Sequence, residues 1–151
     1  MRCRQPGEGD RMALKATRND VWTATIEDRA GGAAPVLESL AKAKVNLEMV
    51  FARRLPELPG KGMLIVSPIK GKKAEKAALA AGLAKTGAMH GVRLEGGDKP
   101  GLGAKIARAL GDAGISFRGI SAHAIGRKFV CNIALDSAED ADRAAKLLKK
   151  L

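Results

Sequence analysis

Aromatic side chains are nearly missing from this 151-residue chain: Trp22, Phe51, Phe117 and Phe129 make up 3% of it, and there is no tyrosine. Its core must therefore come from Ala, Leu, Val and Ile, and the aromatic platforms on which single-stranded nucleic acids stack are not available. Cysteine is equally scarce. Cys3 in a polar terminus and Cys131 in an apolar run cannot make a disulfide framework, which points to a reducing compartment, by default the cytoplasm. No apolar run approaches the roughly 18 residues of a membrane-spanning helix, and the first residues lack the apolar stretch of a signal peptide. Negative charge is in deficit, with 16 Asp and Glu against 27 Lys and Arg for a net +11. The excess is spread along the chain, +7 in residues 1–88 and +4 in residues 89–151. It favours acidic partners without choosing among nucleic acid, anionic metabolites and acidic proteins.

Catalytic patterns are missing too. His90, His123 and Cys131 offer no metal-ligand spacing, so no metal and no cofactor is expected. The run Gly96-Gly97-Asp98-Lys99-Pro100-Gly101 lacks the Gly-Lys-Ser/Thr ending of a phosphate-binding loop, and no Gly-x-Ser-x-Gly turn is present. No catalytic residue is assigned, and the chain reads as a non-enzyme.

What is there is a duplication. Shifted by 70 positions, Asp28-Arg29-Ala30-Gly31 falls on Asp98-Lys99-Pro100-Gly101, Val36 on Ile106, Leu40 on Leu110, Lys44 on Gly114 and Val45 on Ile115. Beyond the following hairpin the shift becomes 67, with Ala74, Ala77, Ala78 and Ala81 on Ala141, Ala144, Ala145 and Leu148, so the first hairpin loop is three residues longer. Asp28 and Asp98 hold the same place in two copies, which suits a repeated structural role better than an acid/base pair. Asp98 could accept from free N–H groups at the following helix, Pro100 could open its first turn, and Gly101 leaves space for a close approach.

In chain order, residues 1–17 are expected to be a disordered leader, with Met12–Thr17 at most a weak strand. Val21–Ile26 alternates as a strand with Trp22, Ala24 and Ile26 on one face. A helix follows over about Ala33–Ala43, with Pro35 tolerable in its first turn. Val45–Phe51 reads as a strand with Val45, Leu47, Met49 and Phe51 inward, Arg53–Gly62 as a loop, and Met63–Ser67 as the hairpin partner. After Lys70-Gly71-Lys72-Lys73 comes an alanine-faced helix, and Thr86–Glu95 has room for one long strand or two very short ones. The second copy gives a helix Leu102–Ala113 closed by Gly114, strands Ile115–Ala122 and Phe129–Leu135, and a last helix capped by Ser137 with Asp140 three residues on. Each copy thus supplies five elements of a ferredoxin-like βαββαβ plan. The second must borrow a fourth strand, use Met12–Thr17, or do without.

A strand, then Asp98-Lys99-Pro100-Gly101, then an Ala/Leu helix ending Ala113-Gly114-Ile115-Ser116, then a hairpin, resembles the ACT domain, a small-molecule regulatory module of amino-acid metabolism. The likeness covers about residues 21–151. The first copy keeps Asn46 in Lys44-Val45-Asn46-Leu47 but has Ala30 for the proline, and the second keeps the proline but has Ser116 for the asparagine. The resemblance implies an α+β chain of two tandem ferredoxin-like modules, residues 18–87 and 88–151, with antiparallel sheets covered by helices on one face. It further implies a non-catalytic sensor of a free amino acid, bound at the strand-to-helix turns and module interfaces through Asp98, Lys99, Pro100, Gly101 and Ser116, and through Asp28, Gly31 and Asn46. Implied partners are a second copy, joined by sheet pairing, and an enzyme regulated by the module. Two other readings stay open: a basic nucleic-acid-binding domain using Lys70, Lys72 and Lys73, disfavoured by the missing aromatics, and a regulatory subunit or fragment of an amino-acid-metabolism enzyme.

Overall fold

A computed structural model describes residues 14–151, and the expectations for Cys3 and most of the leader lie outside the described residues. The chain divides into two compact units, one of residues 19–90 and one that joins residues 91–151 to the segment ending at Arg18.

The unit of residues 19–90 runs β2 (Trp22–Glu27), α1 (Ala34–Lys42), β3 (Met49–Arg54), β4 (Lys61–Ser67), α2 (Lys72–Ala80) and β5 (Ala84–Lys85). Its sheet order is β3-β4-β2-β5, the ferredoxin-like arrangement. β2 pairs antiparallel with β4 from Trp22↔Val66 to Glu27↔Lys61, and the two-residue β5 closes the other side at Trp22↔Lys85. Trp22, Ala24, Leu40, Leu64, Val66, Ala78 and Leu83 form the core, with Val45 and Leu47 packed against it. Each large aliphatic side chain buried this way contributes on the order of 1.5–3 kcal/mol.

The second unit runs β6 (His90–Gly97), α3 (Leu102–Asp112), β7 (Phe117–Ile125), β8 (Lys128–Leu135) and α4 (Ala138–Leu148). Its fourth strand is β1 (Lys15–Arg18), giving the order β1-β6-β8-β7. β1 lies antiparallel to β6 from Lys15↔Glu95 to Arg18↔Val92. Arg18 therefore faces Val92 as Lys85 faces Trp22, one repeat apart. Ala16 is buried, and Arg18 fastens the strand to α4 through Asp142 at 2.6 Å and the Ala138 carbonyl at 3.3 Å. This corrects the expectation that the leader extends to residue 17: its last residues are an edge strand. Gly96 shows how closely they pack, since a Cβ there would come within 2.5 Å of Leu14 Cδ2.

Helix ends repeat in both units. The Val45 N–H reaches the Leu40 carbonyl at 3.0 Å and the Ile115 N–H the Leu110 carbonyl at 2.9 Å. Both close a helix through a left-handed residue, Lys44 at φ 56° and Gly114 at φ 69°. Ser137 caps α4 as expected, accepting from the Asp140 N–H at 3.1 Å.

The expected strand Val45–Phe51 is corrected in start and facing. Residues 45–48 run from the helix cap back to the sheet, and β3 begins at Met49. Because Val45 and Leu47 are not in the strand, their alternation does not carry into it. Val50 and Ala52 pair with the fully buried Val66 and Leu64, while Phe51 pairs with Ile65 on the opposite face; on this edge strand Val50 and Phe51 are both exposed. The strand also continues through Arg54, two residues into the expected loop.

Candidate functional site

Both duplicated segments form the same turn. In the second unit the Leu102 N–H donates to the Lys99 carbonyl at 3.2 Å, with Pro100 and Gly101 between them and Gly101 at φ 83°, ψ 0°. That is a type II turn, whose third position favours glycine because its φ is positive. In the first, the Gly32 N–H donates to the Arg29 carbonyl at 3.0 Å across Ala30 and Gly31, the latter at φ 77°. A backbone bond ties each turn to the hairpin loop: Asp28 N–H to the Gly60 carbonyl at 3.0 Å, Asp98 N–H to the Arg127 carbonyl at 2.9 Å.

Two expectations for this segment are corrected. Pro100 sits before the helix and shapes the turn, since α3 starts at Leu102 after Gly101 as N-cap. Asp98 makes no side-chain cap bond to α3, whose N-cap is Gly101.

Beside the first turn lies a cleft of about 330 Å³. Ile26, Gly31, Gly32, Ala33, Ala34 and Ala52 give it small, largely apolar walls, and Glu27, Asp28, Arg29, Arg53 and Arg54 its charges, with Gly62 beside them. Gly32 keeps it tight: a Cβ there would sit 2.0 Å from the Glu27 carbonyl oxygen, which already accepts the Arg29 N–H at 3.0 Å. Gly62 lets the strands approach, since a Cβ would meet the Arg53 carbonyl at 3.0 Å and Ile26 Cγ1 at 3.4 Å. The Asp28 carboxylate is held by Arg54 Nε, 2.9 Å from one oxygen and 3.2 Å from the other. Lys61 pairs with Glu27 across β2 and β4. Arg53 Nη1 donates to the Arg54 carbonyl at 3.3 Å.

Of the residues singled out from sequence, Asp28 and Gly31 line this cleft and Asn46 does not. Asn46 is exposed on the segment between α1 and β3. Asp98, Lys99, Pro100, Gly101 and Ser116 belong to the other unit and are all exposed. Sequence reasoning missed Gly32, Gly62, Arg53 and Arg54. The double glycine at 31–32 is a readable signal, whereas the arginine pair reads as the start of a charged, proline-bearing loop. Among the described residues no cluster of three or more His, Cys, Asp or Glu could hold a metal, and no helix is long and apolar enough to cross a membrane.

Elsewhere, the Arg93 guanidinium holds the Glu95 carboxyl below its ordinary range through a 2.6 Å hydrogen bond. Burial pushes the Cys131 thiol up to about 11.

Neither a protein-family model nor a curated protein matches the chain. Solved structures do. A Bacteroides thetaiotaomicron protein matches with a TM-score of 0.69 and 20% identity over 89% of each chain. The regulatory subunit of aspartate kinase from Thermus thermophilus, in its ligand-free form, matches with a TM-score of 0.58 and 19% identity, covering 91% of this chain and 95% of that one. That from Thermus flavus gives 0.55 and 21%, over 92% and 95%. The likeness is one of fold. The chain has the α+β, ACT-like architecture of two four-stranded antiparallel sheets with four helices.

Proposed function

We propose that this chain is a non-catalytic regulatory module that binds a free amino acid in the cleft at its first strand-to-helix turn. One observation carries the reading: a cleft opens beside Gly31-Gly32, where two successive residues without side chains leave backbone accessible and small alanines line the wall. Such a site suits a small polar ligand bearing a carboxylate, which exposed backbone and the arginines at the rim can receive. The structural neighbours support it, since two are regulatory subunits of aspartate kinase. The second copy's turn, Asp98–Gly101 with Ser116, is the corresponding site of lower rank. The role is to report the ligand to a partner enzyme, and the edge strands are the surfaces for self-association. Val50 and Phe51 on β3, and Phe117, Ile120 and Ile125 on β7, are apolar and exposed, and unpaired edges invite a second copy.

The test is thermal unfolding of the full chain with each common amino acid. At about a hundred times the dissociation constant a ligand stabilises by roughly 2.7 kcal/mol, so one amino acid should raise the melting midpoint clearly. No shift with any of them removes the reading. Light scattering across micromolar concentrations tests the pairing, and a monomeric mass throughout refutes it.

A further inference from the structure

The charges around the first module's cleft are unevenly spent. Both of its carboxylates are already engaged, Glu27 by Lys61 and Asp28 by Arg54. Arg29 and Arg53 are not: among the described residues neither guanidinium has a carboxylate partner, and Arg53 donates only to the Arg54 carbonyl. A guanidinium carries five N–H donors, so most of those on these two side chains remain to be used. Both residues are exposed and line the cleft with Ala33, Ala34 and Ala52, which add no polar side chain. A cationic ligand would have to compete with Lys61 or Arg54 for a carboxylate. An anion meets two guanidiniums with nothing to displace.

We propose that the cleft selects a small dicarboxylate, one carboxylate directed to the glycine turn and a second to Arg29 and Arg53. The inference rests on the ligand-binding role proposed for the same cleft and adds the ligand's charge. Size agrees: a water occupies about 30 Å³ of liquid, so the space holds roughly ten water-sized groups, enough for an acidic amino acid or a short dicarboxylic acid. A guanidinium matches a carboxylate in fork geometry, and such charge-assisted bonds are the stronger kind.

Calorimetric titration of the full chain with L-aspartate, L-glutamate, succinate, L-asparagine, L-glutamine and L-lysine tests it. At least one dicarboxylate should bind about tenfold or more tighter than its amide or than lysine, with affinity falling as salt is raised. Aspartate or glutamate ahead of succinate assigns an acidic amino acid; succinate equal to them assigns a dicarboxylic acid with no use for the amine. Arg29→Gln and Arg53→Gln should each lose on the order of tenfold for the dicarboxylate, while Arg118→Gln in the other unit leaves it unchanged. Unchanged circular dichroism checks that the variants fold. An amide or lysine binding as tightly as the acids overturns the proposed selectivity and leaves the amino-acid reading standing. Dicarboxylate binding that is indifferent to both Arg29→Gln and Arg53→Gln overturns the site. No binding by any of the six overturns the dicarboxylate proposal, and only a negative screen of the remaining amino acids removes the broader reading.

Discussion

Gly31 and Gly32 are neighbours, yet the structure gives each a different reason to be glycine, and alanine at each position separates them. At Gly31 nothing lies within 4 Å of an added Cβ, and the obstacle is φ of 77°. An L-residue there costs roughly 1–2 kcal/mol, partly offset by the smaller entropy of the unfolded chain, for a net of about 0.5–1 kcal/mol. At Gly32 the obstacle is contact. The Cβ would stand 2.0 Å from the Glu27 carbonyl oxygen and 3.1 Å from its carbon. Both are backbone, so no side chain can swing aside, and the end of β2 must move away until the contact reaches about 3.4 Å. Overpacking of this kind costs about 1–3 kcal/mol, and in a unit of this size each kcal/mol is worth about 4–8 °C of midpoint. Gly32→Ala should therefore lower the midpoint of the residue 19–90 unit more than Gly31→Ala does. Because Glu27 and Asp28 move with the strand end, it should also weaken whatever binds in the cleft. Calorimetric melting gives the first quantity and titration with the best amino acid the second. If Gly32→Ala is no less stable than Gly31→Ala, or binds unchanged, the tight approach does not shape the cleft and the reasoning fails.

Lys44→Gly should stabilise by about 0.5–1 kcal/mol, since it relieves a left-handed lysine at φ 56°, and Gly114→Lys should do the reverse; chemical denaturation measures both, and a destabilising Lys44→Gly refutes the strain argument. Cys131 should resist alkylation in the native protein at pH 8, being buried with its thiol pushed up to about 11. The folded state keeps that proton longer than the ordinary value of 9.0 allows, so stability should fall between pH 9 and 11, and Cys131→Ala should flatten that decline. Glu95 should titrate below the usual carboxylate range by NMR and return to it in Arg93→Met. Its contribution is present above the ordinary value of 4.5 and lost as pH falls through the lowered one, so an unshifted Glu95 in the native protein counts against the Arg93 bond. Removing residues 1–18 should destabilise the unit of residues 91–151 selectively, because it exposes the edge of β6 and takes away buried Leu14 and Ala16; hydrogen exchange that leaves β6 as protected as before refutes it.

Local signals in the sequence were faithful where the structure is local. The alanine face of α2 and its counterpart on α4, the Ser137 cap, the left-handed Gly114 and the two turns are all fixed within a few residues, and the structure adds that Lys44, 70 residues before Gly114, is left-handed too. What did not read through depends on distant partners. β5 is two residues long and exists because Trp22 offers an edge, too short for any periodicity to show. β1 pairs with a strand some 75 residues further on, and its own alternation is weak because only Ala16 among Lys15–Arg18 is buried. Phe51 looked inward because the alternation of Val45 and Leu47 was extended across a break at the sheet edge. Arg53 and Arg54 read as loop because they open a charged, proline-bearing stretch, yet pairing with Met63 and Gly62 holds them in β3 beside the cleft.

The proposed cleft lies at the copy whose turn motif is the more degraded, and the geometry of the turn allows that. Aspartate, proline and glycine specify a turn, and the turn forms equally with Ala30 or Pro100 at its second position, because that position asks only for an ordinary negative φ. Loss of the proline in the first copy therefore removes no architecture. Capacity for a ligand depends instead on what stands next to the turn. Position 32 is glycine where the second copy has Leu102, which packs against that unit's core. Positions 53 and 54 are arginines where the second copy has His123 and Ala124 one repeat on. The motif marks where a site can be; the residue after the turn and the end of the adjacent strand decide whether it has room and charge. By that criterion the proposed site falls to the first copy although its motif is the more degraded.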